Sequence, residues 1–86
     1  MYYVYVLNSK RDRLLYIGYT TNLEKRFYRH NEGSVLATKH RRPLELIFYE
    51  GFISRDDAKR REGYLKTAKG KAALKVMLKD HFSLSY

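Results

Sequence analysis

Met1-Tyr2-Tyr3-Val4-Tyr5-Val6-Leu7-Asn8 and, after a short polar link, Leu14-Leu15-Tyr16-Ile17-Gly18-Tyr19-Thr20 decide the reading of this chain. Both stretches are β-branched and aromatic, a composition that suits a pleated, half-buried surface, and residues 9–13 between them are polar. The pair therefore reads as an antiparallel hairpin. Alternation sets Tyr3, Tyr5 and Leu7 on one face of the first strand and Val4 and Val6 on the other; in the second strand Tyr16 and Gly18 oppose Leu15 and Ile17. Each strand offers a tyrosine from a partly buried sheet.

Outward from the hairpin, Thr21-Asn22-Leu23-Glu24 has the capping-box pattern, with Thr at the cap and Glu three positions on. It predicts a helix to about residue 31 with Gly33 as its stop. Arg26 and His30 then lie one turn apart beside an apolar stripe of Leu23 and Phe27, which puts Arg26 at the margin of the buried face. A dense basic loop of Lys39, His40, Arg41 and Arg42 leads through Pro43 into a third strand over residues 44–52. A missing amide donor does little harm at a strand's first position. Residues 54–57 resemble a second cap, and the helix after it carries Ala58, Glu62 and Leu65 at spacings of four and three. Glu62 thus falls on the apolar stripe, an anomalous place for a carboxylate, while Arg55, Lys59 and Arg60 reach water. Gly70 is expected to break this helix before a last one over about residues 71–79, with Leu74, Met77 and Leu78 inward and Lys71, Lys75 and Lys79 along one side.

A chain of 86 residues allows one compact domain, residues 1–86, so any site must share its small core. The absence of cysteine excludes a thiol nucleophile, disulfide staples and cysteine-ligated metals, and fits a reducing cytoplasm. The apolar opening breaks at Asn8, short of a signal-peptide core, and no run approaches a membrane span, so the protein is read as cytoplasmic and without a membrane partner. Eighteen Lys and Arg against nine Asp and Glu give a formal charge of +9, which favours a polyanionic partner, nucleic acid first. No obligate protein partner is inferred.

The chemistry follows from the residue types. Hydrolysis of a phosphodiester needs an activated water, stabilised charge on the phosphoryl oxygens and help for the leaving oxyanion. Tyr5 or Tyr16 can take a proton from water, given nearby cationic charge to favour a phenolate over a phenol of pKa about 10. Arg26 can grip a phosphate bidentately, where lysine acts only as a point charge. Glu62 can ligate Mg²⁺ or Mn²⁺, with waters and phosphate oxygens completing the shell.

The order and spacing of these residues resemble the GIY-YIG nuclease family. The tyrosine that ends the family's first motif is matched by Tyr5 of Tyr3-Val4-Tyr5, and the second motif is intact as Tyr16-Ile17-Gly18. The first motif departs at Tyr3 and Val4, as it does in small stand-alone members similar to the nuclease domain of the excision-repair incision subunit. The family's helical arginine matches Arg26, its metal-binding glutamate matches Glu62, and His30 matches a position often occupied by histidine or tyrosine. The resemblance runs over about residues 2–79. It implies an α+β fold with a small three-stranded antiparallel sheet flanked by about three helices, and a divalent-metal-dependent endonuclease acting on nucleic acid, with DNA the favoured polymer. Tyr5, Tyr16, Arg26, His30 and Glu62 form the catalytic set it implies. Some members carry an asparagine beyond the glutamate, whereas this chain has none after Asn31.

Within that set, Tyr16 is favoured as general base over Tyr5, because it stands two residues before Gly18, whose missing side chain would admit a phosphate or hydrated metal. Lys39, Arg41, Arg42, Lys71, Lys75 and Lys79 are the expected electrostatic footprint on nucleic acid. Taken singly, each residue has a plainer use: tyrosines pack in strands, Arg26 serves as a surface charge, Glu62 pairs with Arg61 or Lys66, and His30 makes a half-buried polar contact. Two rival functions remain. One is a catalytically weak nucleic-acid-binding module of the same fold; the other is a basic protein-interaction domain whose charge only keeps it in solution.

Overall fold

The computed structural model, which describes residues 1–85, places β1 (Tyr2–Ser9) at the centre of a three-stranded antiparallel sheet, between β2 (Leu15–Thr20) and β3 (Leu44–Phe52). The fold is α+β, with helices on both faces. Alternation along β1 assigns those faces as expected. Val4 and Val6, with Ile17 of β2, pack against Ala58 and Leu65 of α2 (Arg55–Leu65) and Leu74 of α3 (Ala68–Met77). Tyr5 and Leu7 point the other way and meet Leu44, Tyr16, and Leu23 and Phe27 of α1 (Leu23–Glu32). Leu65 and Leu74 are wholly buried, and each such side chain stabilises the fold by about 1.5–3 kcal/mol relative to exposure. Between Val6 and Leu7 the pairing with β3 slips by one residue, a bulge that lets Ile47 and Phe48 both join the valine layer while Leu46 joins the tyrosine layer.

Two polar side chains tie the connections down. Ser9 is fully buried; its Oγ accepts from the amides of Arg11 (3.2 Å) and Asp12 (3.1 Å) and donates to the Arg41 carbonyl (2.6 Å). This fastens the hairpin loop to a 3-10 turn, Lys39–Arg41. Asn31, near the end of α1, donates to the Leu44 carbonyl (3.0 Å) and accepts from the Leu44 amide (2.9 Å), so the first residue of β3 is held by a complete amide pair.

The helix ends differ from expectation in three places. The cap of α1 is Asn22, whose side chain accepts from the Lys25 amide at 3.1 Å, in place of Thr21; Asn caps at least as well as Thr, and the chain turns one residue later. Gly33 does stop the helix, at φ 89°, in the left-handed conformation that glycine adopts without a Cβ penalty. Gly70 does not break a helix. It sits in the first turn of α3, capped by Thr67, and a Cβ there would run into the Tyr64 carbonyl and the Leu65 backbone, so glycine is what lets α3 close onto α2. As a result α3 starts at Ala68 and ends at Met77, with Leu78 as its cap, and Lys79 begins a separate helix, α4 (Lys79–Ser85). The Lys71, Lys75 and Lys79 stripe is therefore divided between two helices, and Met77, expected inward, is half exposed.

Candidate functional site

Tyr5 stands at the middle of β1, and its cross-strand neighbour on β2 is Gly18. A Cβ at Gly18 would collide with the end of the Tyr5 ring and its hydroxyl. The space left by the glycine is thus filled by a phenol, which corrects the expectation that it lies open to a phosphate or hydrated metal.

The Tyr5 hydroxyl is buried and bonded to His30 Nε2 at 2.8 Å, while His30 Nδ1 meets Thr38 Oγ1 at 2.7 Å and Arg26 Nε donates to the Tyr5 oxygen at 3.4 Å. Tyr5 is 1% exposed, and His30 and Thr38 are fully buried. Burial, with help from the Arg26 charge, holds the His30 pKa at about 4, so the ring is neutral at neutral pH. A neutral imidazole has one donor and one acceptor. It therefore bridges the Tyr5 and Thr38 hydroxyls, donating to one and accepting from the other. Burial raises the Tyr5 pKa above the ordinary phenol value against the opposing pull of Arg26, with the Tyr16 and Glu62 charges adding to the rise. Tyr16 is half-buried and completes the cluster, its ring centroid 5.0 Å from that of His30 and 6.3 Å from that of Tyr5.

Arg26 lies half-buried at the margin of α1, as its spacing from Leu23 and Phe27 predicts. Its guanidinium is held protonated chiefly by the Tyr5 hydroxyl, against burial, with further support from Tyr16. Arg26 also lines a polar depression of about 430 Å³, together with Thr20, Thr21, Asn22, Lys25 and Arg29. Lys25 and Arg29 were not singled out from the sequence, although they are one and three positions from Arg26 on the same helix. Thr38 was missed altogether, because a lone threonine in a loop gives no signal until the fold brings it to His30.

Glu62 is on α2, between Ala58 and Leu65 on the buried stripe, and its side chain is only 12% exposed. Lys59 Nζ reaches Oε1 and Lys66 Nζ reaches Oε2, each at 3.0 Å. Burial raises the carboxyl pKa, but the two ammonium groups, Lys66 foremost, outweigh it, and the net position is below the ordinary value. Glu62 is therefore an ionised, hard oxygen donor. One such carboxylate with a mostly aqueous shell fits Mg²⁺ or Mn²⁺, provided the lysines yield their places. Among the described residues no group of three His, Asp or Glu side chains gathers for metal binding.

The expected basic footprint is split. Arg41 donates to Asp12 at 2.7 Å and holds that carboxyl down to about 2, so it first of all braces the hairpin loop. With Lys71, Lys75 and Arg13 it lines a groove of about 530 Å³ floored by Leu14, Leu15 and Phe82. Lys39 and Arg42 line a different hollow with Arg11, Asn31, His40 and Pro43. Arg42 also donates through Nε to the Lys39 carbonyl at 2.9 Å. Lys79 borders neither. Among the described residues no helix is long and apolar enough to cross a membrane.

The chain as a whole is similar to known proteins. The model of the GIY-YIG catalytic domain matches residues 1–75. A UPF0213 protein of Staphylococcus haemolyticus is 44% identical over 77 residues, covering 88% of this chain and 93% of its own length. One from Clostridium perfringens is 45% identical over 67 residues, covering 77% and 71%. The solution NMR structure of the UPF0213 protein from Bacillus halodurans superposes with a TM-score of 0.57 at 33% identity, covering 90% of this chain and 85% of that one. With the motif residues in order, the sheet and helices in place and relatives of its own size, this chain belongs to the GIY-YIG domain family, among its small UPF0213 members.

Proposed function

We propose that this protein is a divalent-metal-dependent endonuclease that hydrolyses phosphodiester bonds in nucleic acid, with DNA the favoured polymer. The observation that carries the reading is the convergence of Tyr5, Tyr16, Arg26 and His30 on one half-buried cluster opening beside a cationic depression. Arg26 offers its guanidinium to the attacked phosphate, an interaction that strengthens as charge builds on the phosphoryl oxygens. Tyr16, half-buried and ionised to its phenolate, takes the proton of the attacking water and becomes the neutral phenol. Tyr5, buried and fixed by His30 and Arg26, is the positioning phenol that holds Arg26 in register. Glu62 would hold the divalent cation, and the cation would supply charge neutralisation to the developing oxyanions.

The test is a panel of labelled single-stranded, flapped, branched and duplex DNA and RNA, incubated with Mg²⁺ or Mn²⁺ and then with chelator. Metal-dependent cleavage is expected, abolished in Glu62→Ala with binding retained. Cleavage by Glu62→Ala at the parent rate removes the metal assignment, and no cleavage of any polymer removes the enzyme reading. Two observations favour a second reading, a catalytically weak binding module: both Glu62 oxygens are held by lysines, and no asparagine follows Asn31. In that case salt-sensitive binding persists without cleavage.

A further inference from the structure

The site face of the sheet is not fully covered. Tyr49 of β3 lies directly across from Tyr5 of β1, so its side chain leaves the sheet on the same face, yet Tyr49 is 55% exposed. Tyr3 meets it edge-on, with ring centroids 6.2 Å apart, and shares with Met1 the space beside Gly51, its own cross-strand partner. Together with Phe27, Leu23 and Leu46 the two rings line an open, largely apolar groove of about 500 Å³. Its polar lining is limited to Thr21, Asn22 and Glu24. Thr21 and Asn22 are also a wall of the cationic depression that holds Arg26, Lys25 and Arg29.

We propose that this groove is a nucleobase subsite: it takes an unpaired base of the strand whose phosphate lies against Arg26. The proposal rests on the nucleic-acid reading of the same site and adds a substrate class, a strand with at least one unstacked nucleotide next to the attacked phosphate. Charge selects this occupant. The depression presents three cations and suits a phosphate, whereas the groove presents none and has the Glu24 carboxylate on its edge, which repels phosphate and can accept from an exocyclic amino group. Aromatic rings give a stacking surface that tolerates any base, and the shared wall puts the two compartments side by side, as base and phosphate are in a nucleotide. A base paired within a duplex cannot reach the groove without leaving its stack.

The experiment measures binding in chelator, so that cleavage plays no part. A labelled single-stranded DNA and a set of copies, each with one abasic position, are titrated with the intact chain and with Tyr49→Ala and Tyr49→Phe. One abasic position is expected to weaken binding about ten-fold, as does Tyr49→Ala on the intact strand, through loss of base stacking. Tyr49→Phe is expected to bind as the parent does. In Tyr49→Ala the abasic copy and the intact strand are expected to bind alike, because the two changes remove one contact. A flat abasic scan, or losses that simply add, overturns the subsite. Cleavage of the same strands with Mg²⁺ is scored separately: a chain that cleaves but shows a flat scan loses only the subsite, and one that shows the coupled loss without cleaving keeps the subsite and loses the enzyme reading. No binding to any strand overturns both.

Discussion

The two faces of β1 are built on opposite terms. On one, Val4 and Val6 meet Ile17, Ala58, Leu65 and Leu74, a layer of wholly apolar buried side chains. On the other, Tyr5 shares its layer with Leu7 and Leu44 but carries into the interior a hydroxyl, an imidazole and a threonine, whose burial is tolerable only because each is hydrogen-bonded. One strand with a two-residue period holds both. The valine face supplies apolar burial and seats the helix that carries Glu62, and the tyrosine face supplies a fixed geometry that yields little net stability.

That contrast can be broken from either side. The largest effect is expected on the valine face: Leu74→Ala, on α3 and off the helix that carries Glu62, leaves a cavity under the sheet and lowers stability by about 3 kcal/mol, read as an earlier denaturant midpoint, while the folded fraction keeps its cleavage rate. A variant that is stable but slow would show that the two faces are coupled. Next comes Tyr16→Phe, for which a rate loss of about 10², some 2.7 kcal/mol in the barrier, is expected with the melting temperature almost unchanged. Tyr5→Phe serves as the comparison, because it removes a buried partner of His30 and so lowers stability as well as rate. The reverse pattern would hand the base role to Tyr5.

A smaller effect concerns acid. Burial holds the His30 pKa at about 4, below the ordinary value of 6.5, so between those limits the unfolded chain binds more protons than the folded one. Stability is then complete above pH 6.5 and is lost progressively as pH falls towards 4. Denaturation curves across that window should show the slope in the parent and a shallower one in His30→Gln. An equal slope in both would place the acid sensitivity on the carboxylates. The smallest is Arg26→Lys, which keeps the charge but not the fork; a rate loss of about ten-fold, or 1.4 kcal/mol, with little change in affinity is expected from single-turnover kinetics and binding. A loss confined to binding would reduce Arg26 to a passive backbone contact.

What the sequence disclosed, and what it did not, divides along the same physical line. Alternation in β1 and β2, the caps at Ser54 and Gly33 and the amphipathic margin that carries Arg26 are local patterns, and they are legible because each is written within a few residues. Glu62 stood out for a related reason, as a charge on an apolar stripe. Gly70 was misread because a glycine that ends a helix and one that allows two helices to touch look alike in sequence; only the nearness of Tyr64 and Leu65 separates them. Thr38, the cross-strand place of Tyr49 and the capture of Arg41 by Asp12 depend on residues far apart in the chain. Charge clusters mislead for the same reason, since adjacency in sequence sent Lys39 and Arg41 to different hollows.

The fit of the Tyr5 ring into the absence at Gly18 carries a consequence for how this protein can vary. Position 18 touches its function through a missing atom: a methyl group there displaces the phenol and, through it, both His30 and Arg26. Positions 5 and 18 form one unit of inheritance, free to change together and bound to fail apart. In a library randomised at both, the survivors are expected to fall into two sets, one with tyrosine at 5 and glycine at 18 that keeps the hydrogen bonds to His30 and Arg26, and one with a small side chain at 5 and a larger one at 18 that folds without them.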